Sequence, residues 1–193
     1  FIVGTSRSGT SMLREMLSRQ SSIWIVRETH YFDDLRPRLG TRASSPAHGE
    51  DRARCERYFL TLMHSTYGQE GQIASRLDET QALSAEAERH GGTPDAYFAA
   101  FCRLRARAKG KDRWGEKTPH NLFFVKEILE DLPNAQFIFI TRDGRDASAD
   151  YLDSAFGPTN IFCAAESWAL CQNAVKTWRK KLPADQWMDL RYE

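Results

Sequence analysis

A chain of 193 residues is long enough to bury a substantial hydrophobic core, and it fits a single domain. Its formal net charge is only +1 although 27% of its residues are charged, so we expect no general attraction to nucleic acid or membranes. Any anion-binding site must therefore be local. No apolar stretch approaches the roughly 20 residues of a membrane span, and no signal peptide is recognised.

Neither the two ends of the chain nor its cysteines identify the cellular compartment of the protein, and the cytoplasm is the favoured expectation. The chain starts without Met inside a predicted strand and stops just after another apolar stretch, so we expect both ends to be trimmed. Its cysteines have neither CxxC nor zinc-like spacing, and each is expected to be a buried free thiol. They are Cys55, Cys102, Cys163 and Cys171.

The first eighteen residues predict a strand, a loop of small residues and a helix. Residues 1–3 are apolar, residues 4–11 have the sequence GTSRSGTS, and residues 12–18 continue as a helix. Gly4 and Gly9 allow a tight turn and a close approach of the backbone to a ligand. The helix N-terminus adds partial positive charge. This arrangement predicts a phosphate-binding loop.

The spacing of the two glycines is that of a Walker A loop, but Thr10 stands where that motif requires Lys. In nucleoside triphosphatases this Lys reaches the β- and γ-phosphates. A loop without it is therefore poorly suited to Mg-ATP and better suited to one terminal phosphate. Arg7 supplies the only cation in the loop sequence. An ordinary Gly-Ser turn is the alternative interpretation.

The rest of the chain alternates between strand and helix patterns. Strands are predicted at residues 23–26, 113–117, 135–140 and 186–191, and the one at 135–140 is expected to be central. A long helix is predicted near residues 160–182. These elements predict an α/β fold with three layers, α/β/α, around a mostly parallel sheet.

A helical insertion is predicted at residues 40–112, within one domain that covers residues 1–193. Residues 40–50 are rich in Ser, Pro and Gly and are expected to form a loop. Helices follow from residue 51 to about residue 108, separated by Gly68 and Gly71 and by the glycines at 91 and 92. Thr93 is the predicted N-cap of the last of them, with Pro94 in its first turn.

Residues 4–11 resemble the 5′-phosphosulfate loop of sulfotransferases that use 3′-phosphoadenosine 5′-phosphosulfate (PAPS). Members of that family often have Pro where this chain has Ser6. The resemblance implies a P-loop-like sulfotransferase fold, PAPS as co-substrate and no metal. The loop residues implied in donor binding are Ser6, Arg7, Ser8, Gly9, Thr10 and Ser11. Arg7 is also the expected cation on the leaving oxygen.

Glu28 is the predicted base. It follows a strand expected to be parallel to the first, so its carboxylate is expected beside the loop, where Arg7 would keep it ionised. Residues 28–33 are similar to the glutamate-containing segment of heparan sulfate-type glycan sulfotransferases, and protein-tyrosine sulfotransferases carry a catalytic Glu about here. His30 is the rival base and is expected to face away. Taken alone, Glu28 also fits a helix N-cap or a surface charge.

Lys117 is the second predicted catalytic cation. Residues 114–120 resemble the Glu-Lys-Ser/Thr-Pro stretch of the same glycan sulfotransferases, in which the Lys lies near the donor sulfate and the acceptor. Without that resemblance, Lys117 is equally compatible with a solvated side chain. Thr118 and Pro119 would then be no more than a helix start.

Residues 139–146 look like the family's 3′-phosphate site, an Arg at a strand end followed by a Ser on the next helix. Arg142 matches, and its guanidinium suits bidentate phosphate binding. By ungapped spacing the Ser falls on Asp150, whose charge would repel a phosphate. Ser148 lies about 200° around the helix from Asp150. We expect Asp150 to point away, with Ser148 as a possible helper of Arg142.

Together these stretches predict transfer of a sulfuryl group from PAPS to a hydroxyl on a small molecule, a glycan or a protein side chain. In that family, residues like 190–193 often precede a further helix and another donor-binding loop, and we expect this part of the family fold to be missing from this sequence. Two alternatives stay open. A P-loop nucleotide-dependent phosphotransferase would need a Lys after Gly9 and a Walker B carboxylate. A non-catalytic binding domain with a degenerate donor site is favoured by Asp150.

Overall fold

The computed structural model describes residues 1–65, 67 and 76–193. The strands in this part of the chain are β1 (Ile2–Gly4), β2 (Ile23–Val26), β3 (Arg113–Glu116), β4 (Phe137–Thr141) and β5 (Trp187–Arg191). The α-helices are α1 (Thr10–Ser18), α2 (Arg36–Leu39), α3 (Gly49–His64), α4 (Leu77–Glu88), α5 (Pro94–Arg107), α6 (Val125–Asp131), α7 (Gly144–Leu152) and α8 (Ile161–Lys181). A π-helix covers Tyr31–Leu35, and 3₁₀-helices cover Gly40–Ser44 and Pro119–Phe124.

The described chain divides into two compact units. The first consists of Phe1–Met16 and Lys117–Glu193, and the second of Leu17–Glu116. All of the strand pairs in both units are parallel within the described residues. The expectation of an α/β fold with a mostly parallel sheet is confirmed.

The first unit contains a three-stranded sheet in the order β1-β4-β5. The central position of β4 confirms the expectation from its apolar sequence, and Phe137, Phe139 and Ile140 are almost fully buried. The rings of Phe137 and Phe139 stack on that of Trp187, with centroid distances of 6.4 and 6.2 Å. Helix α8 begins where predicted, because the Asn160 side chain accepts from the N–H of Cys163 at 2.9 Å.

The second unit contains the pair β2-β3 and helices α2 to α5. Helix α5 packs against both strands, and its capping residue is Thr93, whose Oγ1 accepts the N–H of Ala96 at 3.0 Å. That cap was predicted. The core of the unit is aromatic, with Phe59 and Phe98 packed around Tyr31. Tyr31 belongs to the π-helix after β2, so this core holds the segment that follows the strand.

Two local expectations were wrong. Residues 40–50 are not simply a loop: Gly40–Ser44 forms a 3₁₀-helix, closed by the bond from Ser45 N–H to Arg42 O at 3.2 Å, and α3 begins at Gly49. Cys163 is exposed, whereas Cys55, Cys102 and Cys171 are buried; all are free. Gly68 and Gly71, the predicted helix breaks, lie outside the described residues. Within those residues no helix is both long and apolar enough to cross a membrane.

Candidate active site

The loop between β1 and α1 depends on its two glycines. Gly4 has φ 151°, and a Cβ there would lie 2.6 Å from the carbonyl oxygen of Ile140 on β4. Gly9 has φ 87°, and a Cβ there would lie 2.5 Å from Cδ2 of the Tyr192 ring. Any other residue at position 9 would therefore strain the backbone and collide with the ring. The close contact with Tyr192 was not foreseen from the sequence.

The start of α1 presents donors to the same region as the loop. The N–H of Leu13 donates to Gly9 O at 3.0 Å, so the N–H groups of Thr10, Ser11 and Met12 precede the first intrahelical donor. Ser8 is fully buried, and its Oγ has no hydrogen-bond partner among the described residues. A buried hydroxyl without a partner is costly. Both observations fit a site that receives an oxygen-rich anion.

Arg7 lies at the exposed side of this loop. Its φ of 67° places it in the left-handed region, which side chains other than Gly, Asn and Asp seldom adopt. Such strained backbone is concentrated at functional sites. Ser6, next to it, is half-buried.

Lys117 brings an ammonium group to the helix start. The residue follows β3, pairs with Ile2 through a parallel bridge, and is only 4% exposed. Its Nζ donates to Ser11 Oγ at 3.1 Å. A buried ammonium close to a helix N-terminus concentrates positive charge, which an anion would offset. A residue from a distant part of the sequence thus places an ammonium group at Ser11, one position after Thr10.

Arg142 follows β4 and reaches back to the loop. Its Nη1 donates to Arg7 O at 2.9 Å, and its own carbonyl accepts from Trp168 Nε1 at 3.1 Å. The guanidinium carbon lies 5.0 Å from the centroid of the Tyr192 ring, within the range of a cation–π contact. The two expected anion-binding segments, the loop and the end of β4, are therefore joined by a direct hydrogen bond.

We expected Asp150 to point away from the 3′-phosphate site, but it forms an ion pair with Arg142. The distance from Arg142 Nη1 to Asp150 Oδ2 is 2.5 Å. This hydrogen bond lowers the pKa of Asp150, which therefore carries its charge at neutral pH. The ion pair balances this negative charge with the guanidinium of Arg142. Ser148 is 2% exposed, and its Oγ has no partner among the described residues.

The other predicted residues lie in the second unit, after β2. His30 adopts a left-handed conformation with φ 51°, which turns its ring back towards Glu28. Its Nε2 lies 3.5 Å from Glu28 Oε2, and its Nδ1 lies 3.0 Å from Asp33 Oδ2. The His30 ring therefore lies beside the carboxylates of both Glu28 and Asp33.

The protonation state of His30 follows from these contacts. Burial would lower its pKa, but the hydrogen bonds and charges of Asp33 and Glu28 raise it to about 9. The ring is then an imidazolium at neutral pH and has no lone pair with which to accept a proton. The carboxylate of Glu28 has a side-chain exposure of 39%, and that of Asp33 has 20%.

A buried carboxylate anchors the same segment. Glu116 is fully buried, and its Oε1 accepts both the N–H and the Oγ1–H of Thr29, each at 3.0 Å. Tyr58 donates from its hydroxyl to Thr29 O at 2.6 Å. Sequence reasoning missed this role of Glu116. The available signal was its place at the end of a predicted strand, where a buried carboxylate requires donors.

The residues predicted from sequence fall into two groups. The loop, Lys117, Arg142 and Ser148 belong to the first unit, and Glu28 belongs to the second. Among residues 1–65, 67 and 76–193, no cluster of three or more His, Cys, Asp or Glu side chains is arranged to hold a metal ion.

The first unit thus combines a parallel sheet, a glycine-bounded loop after β1, a buried Lys beside the following helix and an Arg after the neighbouring strand β4. A family model described as the sulfotransferase family matches residues 1–193. The chain therefore belongs to the sulfotransferase family. No curated protein sequence is significantly similar to it.

The fold is also that of a solved structure, the sulfotransferase domain from the curacin biosynthetic pathway. The match has a TM-score of 0.57 at 16% sequence identity and covers all of this chain. This chain spans 66% of the length of that structure. At this identity the likeness concerns the fold alone.

Proposed function

We propose that this chain transfers a sulfuryl group from PAPS to a hydroxyl acceptor. The acceptor oxygen forms a bond to sulfur, while the bond between sulfur and the bridging oxygen of the 5′-phosphate breaks. The acceptor proton passes to the carboxylate of Glu28. The products are a sulfate ester and adenosine 3′,5′-bisphosphate (PAP), so atoms and charge balance.

The observation that carries this proposal is the contact of Lys117 Nζ with Ser11 Oγ, 3.1 Å apart at the N-terminus of α1. The leaving oxygen gains negative charge as the bond to sulfur breaks. A buried ammonium and a helix N-terminus are fixed before the reaction, so they stabilise that charge without reorganisation. The exposed guanidinium of Arg7 is the second cation that we assign to this role.

The chain's own hydroxyls and amides fit the donor's phosphates. Ser8 Oγ and Ser148 Oγ are buried and lack partners among the described residues, which suits groups that bond to phosphate oxygens. We assign Ser6 to Ser11 to the 5′-phosphate end of PAPS, and Arg142 with Ser148 to its 3′-phosphate. No metal ion is part of this assignment.

Glu28 acts as the general base in this proposal. A carboxylate is a competent acceptor for a hydroxyl proton when the oxygen is attacking an electrophile. Its neighbour His30 is already protonated at neutral pH and cannot compete for that proton. The buried bond from the N–H of Thr29 to Glu116 holds the residue next to Glu28 in place.

The proposal is tested by incubating the protein with PAPS labelled in its sulfuryl group and a panel of phenols, alkyl alcohols and glycans. Labelled ester and an equal amount of PAP are expected. Lys117→Met removes the buried cation and should lower turnover by about 100-fold or more. Lys126→Met, which removes an ammonium that is 75% exposed on α6, is the matched control and should have no effect.

Two results would contradict the proposal. One is transfer that is equally fast with Lys117→Met and with the unaltered protein. The other is an absence of labelled ester together with an absence of PAP binding, which would favour the non-catalytic alternative.

A further inference from the structure

The guanidinium of Arg142 is already held by groups of the first unit. Nη1 carries two hydrogens, and it donates to Arg7 O at 2.9 Å and to Asp150 Oδ2 at 2.5 Å. The Tyr192 ring lies against the same guanidinium, with its centroid 5.0 Å from Cζ. A phosphate can therefore use Nη1 only after Asp150 has moved.

The alternative approach, through Nε and Nη2, does not escape Asp150. A guanidinium is only about 2.3 Å across from nitrogen to nitrogen, so a phosphate on its other edge stays within roughly 6 Å of the carboxylate, where like charges repel. The charge of Arg142 is balanced by Asp150 in either case. What remains available to a phosphate without competition is the hydroxyl of Ser148, which has no partner among the described residues.

Asp150 is not forced into this contact by burial. Its side chain is 40% exposed, compared with 19% for Arg142, so water could solvate the carboxylate in another rotamer. The ion pair is thus a preference of the side chains in the folded unit. It brings the carboxylate of Asp150 into contact with Arg142, the residue that we assign to the 3′-phosphate.

We propose that Asp150 is a specificity-determining residue of the donor site. By pairing with Arg142, it reduces the preference of the site for a nucleotide that carries a 3′-phosphate. The inference rests on the proposed function, since it takes an adenine nucleotide as the ligand of the loop. It implies that adenine nucleotides with and without the 3′-phosphate bind with more similar affinities than a free Arg142 would allow.

The test compares PAP with adenosine 5′-phosphate (AMP), which lacks the 3′-phosphate, by titration calorimetry. Asp150→Asn keeps the shape of the side chain and removes its charge, and Asp150→Ser leaves a hydroxyl. In both variants the affinity for PAP should rise about tenfold or more, while that for AMP changes little. Asp153→Asn, which removes an exposed charge at the end of the same helix, should keep the original ratio of affinities.

A double variant checks that the gain acts through Arg142. Adding Arg142→Ala to Asp150→Asn should abolish the gained preference for PAP. Thermal unfolding of each variant establishes that it is folded.

The outcomes separate this inference from the proposed function. If PAP and AMP bind but neither Asp150 variant raises the ratio of PAP affinity to AMP affinity, the inference is overturned. The donor assignment would then still stand. A fall in PAP affinity would also overturn it, because Asp150 would then align Arg142 for the phosphate. Failure of PAP and AMP to bind any of these proteins would overturn the donor assignment and the inference together.

Discussion

The positive φ angle of His30 determines which side chains surround its ring. The left-handed conformation at His30 brings the ring between two carboxylates, 3.5 Å from Glu28 and 3.0 Å from Asp33. An imidazole in that position takes up a proton and keeps it. The protonated ring is thus unable to serve as the base, which is the reason that we assign this role to Glu28.

Replacing Glu28 by Gln should lower turnover by about 100-fold or more and leave donor affinity nearly unchanged. The amide keeps the size and hydrogen-bonding capacity of the side chain but cannot accept the acceptor's proton. Single-turnover rates with PAPS and the affinity for PAP measure the two effects separately. Normal turnover in the Gln variant, combined with a large loss in His30→Ala, would assign the base to His30.

His30 should also make stability depend on pH. Its pKa is raised from 6.5 to about 9 on folding, so the folded protein binds this proton more tightly than the unfolded chain. The stabilisation is complete below about pH 6.5 and is lost as the pH rises through 9. From the size of the shift we expect a loss on the order of 3 kcal/mol across that range.

Urea unfolding at pH 6, 7.5 and 9.5 tests this dependence by comparing the unaltered protein with His30→Gln. The difference in the free energy of unfolding between the two proteins should shrink as the pH rises. A difference that stays constant would show that His30 is not the titrating group.

The loop between β1 and α1 is the element on which the donor site depends. Gly9→Ala should destabilise the protein by roughly 1 to 2 kcal/mol through the left-handed backbone alone, and its methyl group would also displace Tyr192. Because Tyr192 lies against Arg142, we expect PAP binding to weaken by at least about tenfold.

Gly110→Ala is the matched control for Gly9→Ala. Gly110 has φ 65°, and a Cβ there meets nothing within 4 Å. This variant should lose a similar amount of stability through its backbone and keep normal PAP affinity. If Gly9→Ala binds PAP as well as Gly110→Ala does, the contact with Tyr192 has no part in donor binding.

Elements that follow from local rules were predictable from the sequence. The apolar run at β4, the Asn160 cap of α8 and the Thr93 cap of α5 each depend on neighbours within a few residues. The partnership of Asp150 with Arg142 was not predictable, because helix geometry leaves the choice between two rotamers open. The bond from the N–H of Thr29 to the carboxylate of Glu116 joins residues 87 positions apart, and no local pattern encodes it.

At the scale of the whole molecule, family membership and the parallel α/β fold are the established facts. The match covers the entire chain but only 66% of the sulfotransferase domain to which it was compared. Activity, donor and acceptor are therefore assigned from the chain's own residues. The donor is the central claim, because Arg7, Lys117, Arg142 and Ser148 all take their roles from it.

The measurement that tests this claim most directly is a titration with PAP in the presence of a chelator, beside a titration with ATP and Mg²⁺. The loop has Thr10 in place of the Walker Lys, while Lys117 and Arg142 lie at the two places that we assign to the 5′- and 3′-phosphates. We predict that PAP binds at one site per chain without metal, and that Mg-ATP binds much more weakly. Metal-dependent binding of ATP that is tighter than the binding of PAP would contradict the account.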